Sequence, residues 1–533
     1  MTSEYFHQTY TDDRYDPSWR IIEGDTLNAS LELDADVVII GSGAGGGVSA
    51  EILAQAGLKV ILVEEGPLKT AKDFRMREDE AYSQLYQEAA ARKTKDKGIN
   101  ILQGRSVGGS TTINWTSSFR TPLPTREYWQ HEFGTAGVDD ATMTPWFEQA
   151  EARFGIAPWP VEPNANNRIL RDGATKLGWH SAVIPRNVRG CANLGYCGTG
   201  CPMNAKQSML ITSIPNALRL GATLITRVRI ETLQWQDDRV SAAEGVTMDN
   251  WGQKRENIRV RLTAKHFVLS GGAINTPALL LRSKMPDPNR LIGTRTFLHP
   301  VVISIALMPF EVRADAGAPQ SIYSDEFVWK HGVDGRCGYK LEVPPVHPLI
   351  GSTILLRHGQ IHAEFMRALP RVQATLALLR DGFHAESPGG TVALDQFGDA
   401  LLDYPVNDYL LTSMHDAFER MAELQFAAGA EQVLPLHMDA APVTTLVEAK
   451  KLIARLPKQT PRTQVVSAHV MGGCAFGEDK KKTVCDSDGR LRGFANVSVH
   501  DGSLFPTSLG VNPQLSIYGL VMKLANGLAA TLK

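Results

Sequence analysis

Hydrophobic and polar positions near the start of the chain follow the pattern of an α/β unit. The run ADVVII at 35–40 is rich in β-branched residues and ends in GSGAGGG, after which AEILAQAGL has a helical pattern. The run KVILV at 59–63 is continuously apolar, which is typical of a parallel strand that is buried on both faces. The pattern predicts a strand, a glycine turn, a helix and a second strand.

The same order of elements returns far downstream. The runs ATLITRV and ENIRVRLTAKHFVLS predict a β pair that leads into SGGAINTPALLLRS at 270–283, again a strand, a glycine turn and a helix. This return indicates that the first unit is discontinuous in the sequence. Residues 300–465 mix alternating strands with amphipathic helices, and they predict a second lobe.

The segments between these units carry weaker patterns. Residues 77–97 are dominated by charges and helix formers, and they predict an exposed helix or a lid. Residues 122–185 contain seven prolines and predict short helices joined by ordered loops. The run MRALPRVQATLALLR at 366–380 predicts a helix that lines an apolar channel.

Composition narrows the class of protein. The 533 residues include 55 Lys and Arg against 57 Asp and Glu, so no basic field is present to bind a nucleic acid. The hydrophobic fraction of 43% excludes general disorder. The first thirty residues lack a basic region followed by an apolar core, which favours a cytoplasmic protein, although export together with a partner subunit stays open. We expect no membrane span, because the apolar C-terminal segment is interrupted by Tyr518, Lys523 and Asn526.

The glycine turn carries the first candidate chemistry. Gly41, Gly43 and Gly46 form GxGxxG between a strand and a helix, and Glu64 stands at the end of the next strand. Glycines in this context let the backbone approach a pyrophosphate at a helix N-terminus, while the carboxylate binds the ribose hydroxyls. The motif predicts a dinucleotide site and leaves FAD and NAD as alternatives.

Four further motifs together resemble the glucose-methanol-choline (GMC) oxidoreductase family. They are GRSVGGSTTIN at 104–114, SGGAINTPALLLRS at 270–283, SAHVMGGCAFG at 467–477 and VHDGSLFPTSLGVNP at 499–513. The resemblance implies oxidation of an alcohol by hydride transfer to N5 of the flavin of FAD. It also implies an α/β fold with a discontinuous Rossmann-like FAD-binding domain and an antiparallel-sheet substrate-binding domain of α+β character. We expect the first at 31–120, 186–300 and 465–533, the second at 121–185 and 301–464, and an N-terminal extension at 1–30.

Two residues match the catalytic positions of that family. The family histidine falls on His469, and its partner, which is His or Asn among members, falls on Asn512. An imidazole is a suitable acceptor for the hydroxyl proton that must leave as hydride is transferred. Asn512 would orient the substrate oxygen, and it could also cap the helix that begins near Pro513.

The resemblance also implies the cofactor contacts. They fall on Gly108, Gly109, Ser110 and Asn114, on Val228 and Ala273, and on Asp501 and Gly502. In relatives that bind FAD covalently, a histidine stands where this chain has Ile113. Noncovalent FAD is therefore expected.

Three cysteines crowd into one segment, CANLGYCGTGCPMNAKQSM at 191–209. The spacing of Cys191, Cys197 and Cys201 resembles that of FAD glucose dehydrogenase catalytic subunits, in which three cysteines hold a 3Fe-4S cluster. The alternative is a structural or zinc-like turn, because long-chain fatty alcohol oxidases resemble this region too. A cluster would let electrons leave the flavin toward an external acceptor.

The substrate follows from resemblance alone. Residues 376–406 resemble the long-chain alcohol oxidases more than the sugar enzymes, so the expected substrate is a hydrophobic primary alcohol. The alternatives are a sugar or polyol dehydrogenase that passes electrons through the cluster, an FAD-containing hydroxynitrile lyase, and a flavin-binding protein without activity. The electron acceptor, whether oxygen, a quinone or a cytochrome, is not indicated by the sequence.

Overall fold

The computed structural model describes residues 15–16 and 18–533. The helices of this part of the chain, numbered in chain order, are α1 Ala44–Gln55, α2 Glu78–Leu85, α3 Ser110–Ile113, α4 Leu123–Phe133, α5 Asp140–Phe154, α6 Ala165–Leu177, α7 Ser213–Arg219, α8 Gly272–Arg282, α9 Pro348–Ile354, α10 Gly359–Ala368, α11 Asp408–Ala427, α12 Leu446–Arg455 and α13 Gln514–Leu532.

The strands of the same part fall into two large sheets and three small ones. They are β1 Ile21–Glu23, β2 Leu31–Ile40, β3 Val60–Val63, β4 Ile99–Ile101, β5 Ile156–Pro158, β6 Ala182–Val183, β7 Pro185–Asn187, β8 Thr223–Thr226, β9 Val228–Gln236, β10 Arg239–Met248, β11 Lys254–Leu269, β12 Thr296–Phe297, β13 Val301–Leu307, β14 Ile322–Ser324, β15 Tyr339–Glu342, β16 Val372–Leu379, β17 Thr391–Leu394, β18 Ala400–Asp403, β19 Gln432–Pro435, β20 Val465–Ser467, β21 Met471–Gly472 and β22 Val497–Val499.

The first large sheet contains the predicted strand, glycine turn and helix. Its strand order is β1-β8-β3-β2-β11-β10-β9, and β22 pairs with β11. The neighbouring pairs among β1, β8, β3, β2, β11 and β22 are parallel. Strands β10 and β9 extend the sheet in antiparallel pairs. Strand β3 is buried along its whole length, as its continuous apolar run predicts. The α/β character of this part of the fold is confirmed.

The second large sheet is mainly antiparallel. Its order is β4-β20-β13-β16-β15-β14-β6, and β19 pairs with β13. Only the β4 and β20 pair within it runs parallel. Helix α11 packs on this sheet and buries Leu410, Met414 and Phe418. The predicted second lobe therefore has the expected antiparallel sheet.

Some strands do not belong to the sheet that the expected domain boundaries would give them. Within the predicted N-terminal extension, residues 21–23 form β1 and pair with β8 at the edge of the first sheet. Strands β4 and β20 were expected in the FAD-binding domain, but they pair with each other and join the second sheet through Val466 and Val301. The remaining boundaries stay predictions, and residues 1–14 and 17 lie outside the described residues.

Two local predictions also need correction. The run at 366–380 is not one helix, because α10 ends at Ala368 and β16 begins at Val372 at the centre of the second sheet. The two runs of the predicted β pair after Gly221 do not pair with each other, because ATLITRV forms β8 between β1 and β3, whereas the second run forms β11. In the first case the apolar run fills a sheet interior, which periodicity alone does not distinguish from a helix. In the second case both runs are strands, and the sequence does not determine their partners.

The C-terminal helix α13 is the core helix of the first lobe. It is long and apolar enough to cross a membrane by length and composition, and no other helix of the described chain meets that test. However, 61% of its most apolar window is buried in the protein, where it packs against α1 and α5. Burial by neighbouring helices accounts for its apolar composition.

Candidate active site

A cleft of about 1010 Å³ lies between the first sheet and the elements that join the two lobes. Most of the predicted site residues lie on its wall. They are Gly41, Gly43, Glu64, Gly109, Ser110, Asn114, Val228, Ala273, His469, Asp501, Gly502 and Asn512, and Ile113 lines it as well. Gly46, Gly108 and the three cysteines of the 191–209 segment do not line the cleft. One space thus collects residues that are distant in the sequence.

The glycine turn is shaped by close backbone contacts. Gly41 has φ +101°, and a Cβ on it would lie 2.3 Å from the carbonyl oxygen of Ser270. A Cβ on Gly46 would lie 1.8 Å from the carbonyl oxygen of Gly41, so this glycine lets α1 pack on the turn. A Cβ on Gly43, in contrast, would meet nothing within 4 Å. Gly43 therefore leaves the space beside the helix N-terminus open to the cleft.

Glu64 follows β3 and is held by the turn. Its Oε2 accepts hydrogen bonds from the backbone N–H and the hydroxyl of Ser42, at 3.1 and 2.5 Å, and its Oε1 accepts one from Gly66 N–H at 2.9 Å. Burial raises the pKa of this carboxyl, while these hydrogen bonds oppose that shift. The carboxyl is thus fixed in place at the end of the strand.

The loop before α3 closes against the glycine turn. Gly108 has φ +88° and donates its N–H to the Ser42 hydroxyl at 3.0 Å. A Cβ on Gly109 would lie 2.8 Å from Cα of Gly43, so the two loops approach each other without side chains between them. Asn114, at the end of α3, donates from Nδ2 to Gln514 at 2.7 Å.

Asp501 connects β22 with the start of α8. Its carboxylate accepts hydrogen bonds from Gly272 N–H at 2.8 Å, from the Thr276 hydroxyl at 2.6 Å and from Ser503 N–H at 2.8 Å. Burial raises the pKa of Asp501, and the same hydrogen bonds act against it. Asp501 thereby fixes the N-terminus of α8, where Ala273 faces the cleft.

His469 and Asn512 meet on the cleft wall. Nε2 of His469 lies 3.5 Å from Nδ2 of Asn512, although the residues are 43 positions apart. On its other side, Nδ1 of His469 lies 3.3 Å from Nδ1 of His299, whose Nε2 accepts the Gly510 N–H at 3.1 Å. The geometry therefore directs Nε2 of His469 toward Asn512.

Electrostatics keep these imidazoles neutral. Burial first, and the nearby Lys340 cation second, lower the pKa of His469 to about 3. Burial, followed by electrostatic interactions with His469 and Lys340, lowers the pKa of His299 well below its usual value. A neutral imidazole has a lone pair that can accept a proton.

Asn512 is not the helix cap that the sequence allowed. Helix α13 begins at Gln514 with Pro513 at its cap position, and no side chain caps it. The Asn512 amide instead contacts Lys340 and Glu342, with Oδ1 2.7 Å from Lys340 Nζ and Nδ2 3.2 Å from Glu342 Oε2. Its hydrogen bonds are thus directed to the neighbouring strand β15.

The prediction of a metal cluster is not supported by the structure. In the described part of the chain, no group of three or more His, Cys, Asp or Glu side chains is arranged to hold a metal ion. The sulfur of Cys197 accepts a hydrogen bond from Arg186 at 3.6 Å, and that of Cys191 accepts one from Asn193 N–H at 3.4 Å. Of the two alternatives for this segment, a 3Fe-4S ligand set of Cys191, Cys197 and Cys201 or a structural turn, the first is therefore not supported.

The cleft suits a dinucleotide. Helix α1 begins behind Gly43 without a side-chain cap, so its first N–H groups are available to a pyrophosphate. Trp115 Nε1 on the same wall is buried and has no hydrogen-bond partner among the described residues. The open space at Gly43 and this unpartnered donor both fit a bound polar ligand.

Sequence reasoning missed three residues around His469. Lys340 and Glu342 alternate along β15 and so share one face of the strand, a signal that a charged pair within an apolar strand could have given. His299 stands alone before a proline and gives no such signal. All three are buried.

Comparison with known proteins identifies the family of this chain. Residues 82–301 and 387–520 match the GMC oxidoreductase family, and residues 36–74 match the FAD binding domain. An uncharacterized GMC-type oxidoreductase of Mycobacterium tuberculosis is 33% identical over 92% of this chain and 75% of its own length. A long-chain-alcohol oxidase of Arabidopsis thaliana is 28% identical over 92% of this chain and 68% of its own.

A solved structure shows the same fold. A formate oxidase variant from Aspergillus oryzae RIB40 has a TM-score of 0.69 and 16% sequence identity, and the match covers 94% of this chain and 99% of that one. The family matches, the relatives and the cleft agree with one another. The chain therefore belongs to the GMC oxidoreductase family and is an FAD-dependent oxidoreductase that acts on CH–OH donors.

Proposed function

We propose that the protein oxidises a hydrophobic primary alcohol to its aldehyde. The reaction removes a hydride from the carbon that bears the hydroxyl and a proton from the hydroxyl oxygen. FAD, when bound, supplies the acceptor for the hydride at flavin N5. The chain itself must then bind the alcohol, orient its oxygen and take up the proton.

The contact between His469 and Asn512 carries this proposal. The imidazole of His469 is neutral, presents Nε2 beside Asn512 on the cleft wall and is the proton acceptor for the hydroxyl. The Asn512 amide hydrogen-bonds the substrate oxygen and so fixes the direction of the carbon that loses hydride. Both side chains are supplied by the C-terminal segment, one just after β20 and one just before α13.

The cofactor is held by the walls already described. Gly41, Gly43 and α1 would receive the pyrophosphate, and Glu64 would bind the ribose. Val228 would hold the adenine, and Ala273, Asp501 and Gly502 would hold the phosphate and ribityl region. Gly108, Gly109, Ser110 and Asn114 would support the flavin. Ile113 offers no nucleophile to the flavin, so FAD is bound noncovalently.

A hydrophobic substrate is favoured by two observations. Several relatives that match more than nine-tenths of this chain carry the name long-chain-alcohol oxidase. The cleft also presents apolar side chains, among them Leu102, Trp115, Val470 and Ile517. An acyl chain of the alcohol would lie against these groups and be removed from water.

The names of these relatives also favour oxygen as the electron acceptor. Quinones and cytochromes are the alternatives, and oxygen consumption distinguishes them. The cytoplasmic location expected from the N-terminal composition remains a prediction.

An anaerobic titration tests the proposal. The purified holoenzyme is mixed with dodecanol, ethanol or glucose, and the absorbance of oxidised flavin is followed, with the His469→Ala holoenzyme as control. We expect dodecanol to bleach the flavin of the unmodified protein far faster than ethanol or glucose does. Faster bleaching by glucose would indicate a sugar or polyol as the substrate. Release of cyanide from a hydroxynitrile, with the flavin left oxidised, would indicate a lyase.

A further inference from the structure

A charged pair lies sealed inside the protein behind Asn512. Lys340 Nζ and Glu342 Oε1 are 2.7 Å apart, and the two side chains are only 1% and 0% exposed. The Lys340 ammonium also lies 3.6 Å from the centre of the Phe119 ring. Burying two charges is costly even when they are paired, so such a pair contributes little net stability and is better explained by a specific arrangement that it enforces.

The pair fixes which end of the Asn512 amide faces which neighbour. An ammonium can only donate, so the Asn512 atom that lies 2.7 Å from Lys340 Nζ must be the carbonyl oxygen. An ionised carboxylate can only accept, so the atom 3.2 Å from Glu342 Oε2 must be the amide nitrogen. Two partners of opposite charge thus give the same orientation of the amide.

This orientation leaves one amide hydrogen for the cleft. The Asn512 nitrogen carries two hydrogens. One of them is donated to Glu342, and the other points in a different direction. The nitrogen is also the Asn512 atom that lies 3.5 Å from Nε2 of His469. The carbonyl oxygen is turned away toward Lys340.

We propose that the Lys340–Glu342 pair is a positioning device that makes Asn512 a hydrogen-bond donor to the reacting oxygen of the substrate. This inference rests on the proposed function. As the hydroxyl proton moves to His469, negative charge grows on that oxygen, and a fixed N–H donor stabilises it without reorganisation. The Lys340 cation strengthens the donor, because it polarises the amide through its oxygen in a site shielded from water.

The test uses holoenzymes with the charges removed singly and together. The variants are Lys340→Met, Glu342→Gln and the double variant, each made with Asn512 intact and in the Asn512→Ala background. The double variant leaves no unpaired buried charge, so it stays informative if a single variant fails to fold. Arg126→Met is the matched control, because Arg126 is a buried cation that pairs with Asp140 at 2.6 Å and does not line the cleft. Flavin content and thermal unfolding report on folding.

The first readout is the limiting rate of flavin reduction by dodecanol. We expect Lys340→Met to lower it by about 10-fold to 100-fold, with a smaller change in alcohol affinity, because the donor acts mainly in the transition state. In the Asn512→Ala background the same substitution should change the rate by less than about 2-fold. Equal effects in both backgrounds would overturn the inference, because Lys340 would then act independently of Asn512.

The second readout needs no turnover. Acetate can only accept hydrogen bonds, and it has no chain that tests substrate preference, so its binding, followed by the perturbation of the flavin spectrum, reports the donor. We expect Lys340→Met and Asn512→Asp to weaken acetate binding about 10-fold or more, and Arg126→Met to leave it unchanged. Unchanged acetate affinity in Lys340→Met would refute the inference. A holoenzyme that no alcohol reduces would refute the proposed function, while the acetate measurement would still decide the role of the pair.

Discussion

Nδ1 of the buried His299 lies 3.3 Å from Nδ1 of His469 on the cleft wall, so the two imidazoles face each other with the same type of nitrogen. Both are neutral, because burial lowers both pKa values. The His299 ring packs against the His469 ring at this contact, with ring centres 5.5 Å apart, and so restricts its rotation. The two rings act as one unit that fixes the direction of the His469 ring.

Replacing His299 should impair the chemistry without removing the cofactor. We expect His299→Phe to lower the rate of flavin reduction by about 10-fold, because the His469 ring loses the partner that orients it. Stopped-flow measurement of anaerobic reduction checks this. His415→Phe is the matched control, since His415 is also a buried histidine with a lowered pKa but lies on α11 and does not line the cleft. A rate equal to that of the control would contradict the role of His299.

His469 should be the largest single contributor from the side chains. We expect His469→Ala to lower alcohol-driven flavin reduction by about 10²-fold to 10⁴-fold, which is the usual contribution of general-base catalysis. The flavin content should stay unchanged, because the proposed cofactor contacts lie on other residues. Reduction at the parental rate would remove His469 from its proposed role.

The pH dependence follows from the lowered pKa of His469. Protonated imidazole cannot accept the hydroxyl proton, so activity is lost only as pH falls toward the pKa of about 3. The limiting rate of flavin reduction should therefore be flat from about pH 5 to about pH 9. In Lys340→Met the cation that contributes to the shift is gone, and the acid limb should move to higher pH. An acid limb of the parent protein near the ordinary histidine pKa would contradict this.

Glu64 should act on affinity before it acts on turnover. Its two oxygens accept three hydrogen bonds from Ser42 and Gly66, and we propose that they also bind the ribose. We expect Glu64→Ala to weaken FAD binding by about 10-fold or more, which a fluorescence titration of the apoprotein measures. At saturating FAD the rate of flavin reduction should approach that of the parent. If Glu64→Ala binds FAD as tightly as the parent protein does, the carboxylate only stabilises the turn.

The flavin should be released when the protein is denatured. Ile113 lines the cleft at the position where covalent relatives carry a histidine, and a hydrocarbon side chain forms no bond to the flavin. After precipitation with acid, we expect the yellow colour in the supernatant, where an absorbance spectrum quantifies it. Flavin that stays in the protein pellet would disprove noncovalent binding.

The nucleotide end of the cleft was predictable because its determinants are local. The strand at 35–40, the glycines of the turn and Glu64 lie within one short stretch, and glycine is required there by backbone contacts such as that of Gly41 with Ser270. His469 and Asn512 were found through motifs of a family rather than through periodicity. Their meeting at 3.5 Å depends on the whole fold.

The parts that sequence reasoning missed depend on distant contacts. Lys340 and Asn512 are 172 positions apart, and nothing in either local sequence indicates that they meet. The cysteine segment left a cluster and a structural turn as alternatives, because spacing alone does not decide how thiols are arranged. In the described chain no three such side chains are arranged to hold a metal ion, and Cys197 accepts a hydrogen bond from Arg186.

The last part of the chain joins the two lobes by contributing to both sheets. Strand β20 belongs to the second sheet, β22 belongs to the first, and α13 fills the core of the first lobe. Dividing the chain at one point therefore cannot give two fragments that each contain a complete lobe, because each sheet would lack strands that lie on the other fragment. We expect separately produced fragments to be insoluble and to recover flavin binding only when they are synthesised together. The two lobes of this enzyme should therefore fold and unfold as one unit.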